Sequence, residues 1–108
     1  MKPVAEPSAD AITLSGLMAA LSDPARVEIV RGLAAGGETA CGTFDLGVTK
    51  ATRSHHFRVL REAGVTRTRV EGTRRMISLR RDDLDTRFPG LLDAVLAAAE
   101  RETLAPVG

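Results

Sequence analysis

A single stretch, TKATRSHHFRVLREAG at positions 49–64, constrains the fold of this chain more than any other part of it. Threonine is a preferred helix N-cap and glycine a preferred left-handed residue after a helix, so Thr49 and Gly64 predict the two ends of one helix. At about 100° per residue, one side of this helix is apolar and the other is polar and basic. The side predicted to face the core carries Phe57, Leu60 and Ala63, with His56 at its edge.

The opposite side of the predicted helix has no apolar stripe. Ser54, His55, Arg58 and, nearer the edge, Lys50 offer hydrogen-bond donors and positive charge there. Small neighbouring residues would let a partner approach the helix closely. Such a surface suits a groove that is lined by phosphates.

Basic residues are concentrated between Lys50 and Arg81. This stretch contains ten basic and two acidic residues, a net charge of +8, whereas the rest of the chain has five basic and twelve acidic residues, a net charge of −7. The whole-chain charge of +1 therefore conceals a polarised molecule. Charge segregation of this kind is typical of a nucleic-acid-binding face, although a charge run by itself more often marks a solvated surface.

The composition favours double-stranded over single-stranded nucleic acid. Tyr and Trp are absent and Phe occurs three times, so the basic face has few aromatic rings on which unpaired bases could stack. The one cysteine cannot form an internal disulfide, which fits a reducing compartment. Because the chain has no apolar run of about 18 residues and no signal-peptide pattern, we expect a cytoplasmic protein without a membrane partner.

The length of 108 residues predicts one domain. Residues 1–9 contain two prolines and few core-forming residues, which indicates a flexible N-terminal arm. The domain is expected to occupy residues 10–104, with Asp10 as the N-cap of its first helix. Asp23 and Pro24 predict the start of a second helix, with Asp23 as its N-cap.

Residues 39–46 form a short segment before a turn at Gly47. Two helices joined by a tight turn that contains glycine, the second of them basic outside and apolar inside, predict a helix-turn-helix. After Gly64 the pattern changes to alternation, with strands predicted at Val65–Val70 and Arg75–Leu79 around a turn. The predicted fold class is mainly α with a small β-hairpin, a winged helix-turn-helix.

The hairpin forms the wing, and its arginines could enter an adjacent minor groove or hold phosphates. These residues are Arg67 and Arg69, which share a strand face, and Arg74 and Arg75, which lie beside the turn. Two helical segments then close the chain: one begins at Asp82–Asp85, and the other runs from Leu91 to about Thr103.

Two motifs together point to a family. The segments LSDPARVEIV at 21–30 and SHHFRVLREAG at 54–64, followed by Gly72-Thr-Arg in the wing, resemble the ArsR/SmtB family of bacterial transcription regulators over residues 12–100. The resemblance implies a winged-helix homodimer that binds palindromic operator DNA, usually as a repressor released by an effector. A two-fold dimer would place two recognition helices in successive major grooves, roughly 34 Å apart.

The resemblance also implies roles for particular residues. By position, the residues that would face DNA are Thr49, Lys50, Thr52, Ser54, His55 and Arg58. The dimer of the family is normally built from the first and last helices, and the apolar stripes there are Leu14, Leu17, Met18 and Leu21, and Leu91, Leu92, Val95, Leu96 and Ala99. Arg53 is a departure, because relatives more often carry an aliphatic residue there; it would either contact phosphate or form a buried ion pair.

The identity of an effector stays open at this point. Metal-sensing relatives commonly carry a Cys-x-Cys pair before the turn, whereas this chain has Cys41-Gly42-Thr43 and lacks the second thiolate, so soft-metal sensing at that site is not expected. Cys41 is interpreted as a small buried residue, with redox sensing by this lone thiol as the alternative. His55 and His56 point about 100° apart and would not chelate one ion together.

A weak divalent-metal site, for nickel or zinc, is an alternative to a metal-free regulator. Its carboxylates would be Asp82, Asp83, Asp85, Asp93, Glu100 and Glu102, all of which can equally be solvated residues of helix starts and wet faces. No cofactor is expected to be required. An enzyme is not expected either, since the sequence has no nucleophile–base–acid set and no phosphate-cradling glycine loop. A third possibility is a protein-interaction module that docks an acidic co-regulator.

Overall fold

The structure, a computed structural model, describes residues 6–104. Within this range the α-helices are α1 (Leu14–Ala20), α2 (Pro24–Gly36), α3 (Lys50–Glu62), α4 (Arg81–Arg87) and α5 (Leu91–Leu104). The strands are β1 (Thr39–Ala40), β2 (Thr66–Glu71) and β3 (Arg74–Leu79), and 3-10 turns span Ala9–Ala11 and Cys41–Thr43. Most of the predicted arm, residues 1–5, and the C-terminal residues 105–108 lie outside the described residues.

Side-chain caps start α2 and α3 where the sequence predicts them. The Asp23 carboxylate accepts a hydrogen bond from the Ala25 N–H at 2.8 Å. The Thr49 hydroxyl accepts one from the Thr52 N–H at 3.1 Å. Each bond satisfies an N–H group that has no partner within its own helix, so both helices begin at a residue fixed by local chemistry.

The first helix begins later than predicted, and Asp10 is not its N-cap. Asp10 lies in the 3-10 turn, after which Ile12 takes an extended backbone that interrupts the helical path. The helix starts after Thr13, whose hydroxyl accepts a hydrogen bond from the Gly16 N–H at 3.0 Å. The extended conformation lets Ile12 bury its side chain, which is 1% exposed.

α3 ends in a hydrogen-bonded reversal that joins it directly to the wing. The Gly64 N–H donates to the Arg61 carbonyl at 3.0 Å, and the Val65 N–H donates to the Leu60 carbonyl at 2.9 Å. These two bonds form a Schellman motif, which needs a left-handed residue, and Gly64 has φ +86°. A Cβ atom at Gly64 would also lie 2.5 Å from Cγ1 of Ile12, so both the backbone and the available space require glycine.

The predicted β-hairpin is confirmed, and a third strand that the sequence did not indicate joins it. The strand order is β1-β3-β2, and both pairings are antiparallel. Ile77 lies opposite Thr39 on one side and Thr68 on the other, and it is buried in the core. Met76 and Arg69 form a pair on the opposite face of the sheet. β1 has only two residues, too few for a pattern of alternation to appear.

The first helix of the predicted helix-turn-helix is reduced to the 3-10 turn at Cys41–Thr43. The preceding residues are held by β1, and Gly42 disfavours a longer helix. After the turn, Phe44 packs edge-to-face on Phe57 of α3, with 5.5 Å between the ring centroids. This contact holds the connecting segment against the underside of α3.

Two of the residues predicted to form a dimer belong instead to the core of the protomer. Leu17 is 2% exposed and Leu92 is 4% exposed, so neither has surface left to offer a second copy. Leu14 and Met18 on α1 remain exposed, whereas most of the remaining residues of the two stripes are half-buried. The buried apolar residues are Ile12, Leu17, Ala20, Ile29, Val30, Leu33, Phe57, Leu60, Val65, Ile77, Leu84 and Leu92.

Arg26, on α2, connects three helices through its guanidinium group. Its Nε donates to the Ala20 carbonyl at the end of α1 at 2.6 Å, and its Nη1 lies 3.2 Å from Nδ1 of His56 in α3. Arginine only donates, so Nδ1 accepts and the proton of the neutral imidazole is on Nε2. The prediction that His56 packs at the core edge is confirmed, and its ring is fixed by this hydrogen bond.

The described residues at the end of the predicted arm contact the wing and α4. The Pro7 carbonyl accepts a hydrogen bond from the buried Arg80 at 2.7 Å. The Glu6 carboxylate accepts one from the Thr68 N–H at 3.3 Å. Thr68 belongs to β2, an edge strand, so this contact satisfies a backbone donor that the sheet leaves open.

Replacing Gly64 with alanine is expected to destabilise the fold. The left-handed backbone and the clash with Ile12 together should lower the free energy of unfolding by about 2–4 kcal/mol, measured by urea denaturation. Gly90→Ala is the matched control, because Gly90 has a similar φ of +81° but open space where the methyl group would lie, and it should cost only about 1–2 kcal/mol. Equal losses would mean that the contact with Ile12 is unimportant.

Removing the donors of Arg26 is also expected to destabilise the protein. Arg26→Met keeps much of the side-chain length but leaves the Ala20 carbonyl and Nδ1 of His56 without this donor, which should cost about 2 kcal/mol in thermal or urea unfolding. Arg31→Met, also on α2, removes bonds to the exposed Glu28 and Thr103 and should cost less than about 1 kcal/mol. A smaller loss for Arg26→Met than for Arg31→Met would contradict this role.

Candidate nucleic-acid interface

α3 has the two faces that the sequence predicts. His56, Phe57 and Leu60 are buried, with exposed fractions of 7%, 6% and 0%. The residues predicted to face DNA, apart from Arg53, are all exposed: Thr49, Lys50, Thr52, Ser54, His55 and Arg58. Polar and cationic side chains therefore cover the outer side of a helix whose inner side is anchored in the core.

Among the described residues Arg53 forms no buried ion pair, so of the two alternatives predicted for it the contact with phosphate stays a prediction. Its side chain is half-buried, and its Nη1 donates to the Phe44 carbonyl at 3.3 Å. The guanidinium group thereby ties the segment before α3 to the first turns of that helix. It also borders an open groove, so part of its charge faces solvent.

This groove, of about 780 Å³, lies between α3, the 3-10 turn and the wing tip. Within the described residues its lining includes the four cationic side chains Lys50, Arg53, Arg74 and Arg75 and no carboxylate. Its lining residues are Ala40, Cys41, Gly42, Thr43, Lys50, Arg53, Ser54, Thr73, Arg74 and Arg75. The contribution of residues 40–43 was missed by sequence reasoning, because it depends on the short β1 strand, which pairs with β3 and sets the 3-10 turn beside the wing.

The four predicted wing arginines divide into two pairs. Arg74 and Arg75 lie at the start of β3, beside the wing tip, and neither has a carboxylate partner within residues 6–104. Both are exposed at the groove. Arg67 and Arg69 lie on the outer face of β2 and are ion-paired, so their charge is less available to a phosphate than that of Arg74 and Arg75.

Carboxylates pair with Arg67 and Arg69, and all of them except Glu71 come from distant parts of the chain. Arg69 lies 2.6 Å from the Glu38 carboxylate and 2.7 Å from that of Glu71. Arg67 pairs with Glu6 at 3.1 Å and with Asp83 at 3.3 Å. The hydrogen bond from Arg69 holds the pKa of Glu38 below its ordinary value, so this carboxylate stays ionised to a lower pH than an unpaired glutamate would.

The excess of positive charge in the stretch 50–81 is therefore not all directed at the groove. Arg80 is buried, 5% exposed, and binds the Asp83 carboxylate at 3.0 Å. Arg81 pairs with Asp93 at 2.9 Å and with Asp85 at 3.6 Å, and these carboxylates raise the pKa of its guanidinium group. The acidic remainder of the chain supplies the partners, and this pairing could not be read from a count of charges.

The same ion pairs bear on the carboxylates considered for a divalent metal. Asp83, Asp85 and Asp93 each bind an arginine. Across residues 6–104 no three His, Cys, Asp or Glu side chains are grouped so that they could hold a metal ion. Cys41 is half-buried rather than fully buried and borders the groove.

No helix in the described part of the chain is both long enough and apolar enough to cross a bilayer.

Comparison with known proteins links this arrangement to a family. A family model described as bacterial regulatory protein, arsR family, matches residues 23–67, the range from the cap of α2 to the start of β2. An uncharacterized HTH-type transcriptional regulator, YceK of Bacillus subtilis (strain 168), is 42% identical to this chain over 79 residues, which cover 70% of this chain and 79% of that protein.

Two solved structures have the same fold. One is the solution structure of the homodimeric winged helix-turn-helix DNA-binding domain of Mb0332 from Mycobacterium bovis, described as a possible ArsR-family transcriptional regulator. It has a TM-score of 0.62 and 22% sequence identity, and the match covers 100% of this chain and 98% of that one. The other is the crystal structure of an ArsR family transcriptional regulator, with a TM-score of 0.56 and 20% identity, covering 95% of this chain and all of that one. At these identities the likeness establishes the winged helix-turn-helix fold. With the family model and the relative at 42% identity, it follows that this chain belongs to the arsR family of bacterial DNA-binding transcription regulators.

Proposed function

We propose that this protein is a dimeric, sequence-specific regulator that binds operator DNA in the cytoplasm, acts as a repressor and is released by an effector. The observation that carries the proposal is the groove in which α3 and the wing tip present four cations without a carboxylate among the described lining residues. Double-stranded DNA offers a regular array of phosphates to such a surface.

In this proposal the two parts of the surface have different tasks. α3 enters the major groove, where its outer residues meet base edges and the flanking phosphates: Thr49, Lys50, Thr52, Ser54, His55 and Arg58. Arg74 and Arg75 hold phosphates or enter the neighbouring minor groove. Arg53 contributes charge at the groove edge while it holds the Phe44 carbonyl. Arg67 and Arg69 are omitted from this contact set, because DNA would first have to displace their carboxylates.

A dimer through α1 and α5 is supported by apolar surface on both helices. Leu14 is 51% exposed and Met18 is 42% exposed on α1. A separate groove of about 450 Å³ lies between α2 and α5, with Leu21, Val27 and Val95 in its lining. Exposed apolar side chains together with a groove that is partly apolar suit a two-fold contact, in which each copy supplies both parts. The solved neighbour from Mycobacterium bovis is itself described as homodimeric.

The proposed effector would act by changing how two protomers are set against each other, since that geometry fixes the distance between the two α3 helices. The lone thiol of Cys41 argues against a soft metal, and the arginine partners of Asp83, Asp85 and Asp93 weaken the divalent-metal alternative. The co-regulator alternative uses the same basic groove for an acidic protein surface.

DNA binding is expected to depend steeply on salt through the wing-tip arginines. Arg75→Gln should make the dependence of log affinity on log salt less steep by roughly 0.9 per protomer for duplex DNA, because each protomer loses one phosphate contact. Fluorescence anisotropy with a labelled duplex across a salt series measures this slope. Arg69→Gln removes the same charge from the same hairpin, but its guanidinium group is already paired, so its slope should stay at the wild-type value.

If the two variants changed the slope equally, net charge rather than the groove would govern binding. If duplex affinity of the unmodified protein barely changed with salt, the DNA-binding surface would not be this one. An acidic protein partner in place of DNA would show itself as binding to that partner with no measurable duplex affinity.

The dimer is expected to depend on Met18. Met18→Glu would bury a carboxylate between two copies and should raise the dimer dissociation constant by at least about tenfold, equivalent to about 1.4 kcal/mol. Sedimentation equilibrium measures this constant. Val48→Glu is the matched control, because Val48 is 44% exposed but lies just before α3, outside the proposed dimer helices, and the dimer should be unchanged. A monomeric unmodified protein, or equal behaviour of the two variants, would contradict the proposed interface.

A further inference from the structure

The exposed face of α3 contains a contact between two of its own residues. Nη2 of Arg58 lies 3.2 Å from Nδ1 of His55, three positions earlier and therefore on the same side of the helix. A guanidinium group has donors and no acceptor, so Nδ1 must offer its lone pair. The His55 ring in this contact is neutral, with its proton on Nε2.

The histidine supplies the main directional restraint on Arg58 among the described contacts. On the other side of Arg58, its Nε lies 4.0 Å from the Glu62 carboxylate, a distance at the limit of an ion pair. The Arg58 and Glu62 side chains are 58% and 65% exposed, so that pair is weak in water. A long arginine side chain loses much rotational freedom when it is fixed, and a restraint that exists before binding reduces this loss.

The neighbouring histidine provides an internal comparison. His56 also presents Nδ1 to an arginine, Arg26, at 3.2 Å, but inside the protein. Adjacent residues on a helix point about 100° apart, so the same chemistry serves two sides of α3. One histidine fixes the helix to the rest of the fold, and the other fixes a side chain on its outer surface.

Resting on the proposed function, we infer that His55 is a positioning residue, which holds the Arg58 guanidinium for bidentate contact with a guanine in the major groove. The two acceptors of guanine, O6 and N7, match the parallel N–H groups of arginine. His55 acts here through Nδ1, and its Nε2–H is not required for the selection of that base pair. The restraint contributes to base preference rather than to general affinity for phosphates.

Two substitutions of His55 separate the two ring nitrogens. His55→Asn retains an acceptor near the position of Nδ1 and removes the group at Nε2. His55→Gln places its amide near the position of Nε2 and removes the acceptor at Nδ1. Arg58→Ala, the double variant His55→Gln with Arg58→Ala, and Glu62→Gln complete the set. Glu62→Gln is the control, because it alters the weak contact on the other side of the same arginine.

The probes are a duplex enriched from a randomised library by the unmodified protein and a duplex of the same composition in shuffled order. The measured quantity is the ratio of the two dissociation constants, followed by the same ratio for each single base-pair change in the enriched duplex. Thermal unfolding of every variant, measured in parallel, shows whether the fold is retained. If His55 acted only in folding, its substitution would change the stability of the protein and the affinities for both duplexes, but would leave the preference at a single base pair unchanged.

Arg58→Ala is expected to lower the ratio about tenfold and to relax the preference at one G·C pair. His55→Gln should lower the ratio to a similar extent and relax the preference at the same base pair. The double variant should lower the ratio no further than Arg58→Ala does, because His55 and Arg58 act on one contact with DNA. Glu62→Gln should stay within about twofold of the unmodified protein, and His55→Asn should keep the preference at the G·C pair that His55→Gln loses.

A preference retained by His55→Gln and lost by His55→Asn would overturn the inference, since His55 would then read a base through Nε2. Equal losses by Arg58→Ala on both duplexes would also overturn it, because Arg58 would then contact only phosphate. If the unmodified protein enriched no duplex from the library, the proposed function itself would fail and this inference with it, and that result is recognised before any variant is measured.

Discussion

The position of α3 depends on a hydrogen-bonded arginine. Arg26 donates to the end of α1 and to the ring of His56, and thereby fixes the inner side of α3 in a fold whose core is small and almost entirely aliphatic. Arg80 and Arg87 act in a related way, because they donate to the carbonyls of Pro7 and Ile12. Arginine can satisfy backbone carbonyls while its stem lies along apolar surface, which a shorter or uncharged side chain could not do as well.

This use of arginine changes how a basic composition should be read. Ten basic residues lie between positions 50 and 81, yet Arg67, Arg69, Arg80 and Arg81 bind carboxylates of the same chain. The electrostatic surface is narrower than the sequence suggests, and it is concentrated where α3 meets the wing tip. Exposed ion pairs such as that of Arg69 with Glu38 contribute little to stability, but they decide where positive charge remains available.

Features set by neighbours in the chain were predictable from the sequence. Thr49 and Gly64 mark the ends of α3 through contacts within a few residues, and the alternation after Gly64 indicates the hairpin correctly. The sequence also predicts which side of α3 is buried, because a helix repeats with a fixed period. Features set by distant partners were not predictable in this way. Glu38 pairs with Arg69, which lies 31 positions away in the sequence. The N-cap of α1 is Thr13 instead of Asp10, because an extended backbone at Ile12 lets that side chain pack in the core. A stripe such as that containing Leu17 shows which residues of a helix are apolar. Only the packing shows whether those residues are buried in the core of the protomer or remain exposed for contact with a second copy.

The reversal at Gly64 has a mechanical consequence. Val65 belongs to the same hydrogen-bonded turn, and β2 begins at the next residue, Thr66. No further loop therefore separates α3 from the wing. The two hydrogen bonds at this short turn restrict changes in the angle between α3 and the wing. We therefore expect adaptation to a curved or straight duplex to come mainly from a tilt of the whole protomer or from bending of the hairpin away from its base.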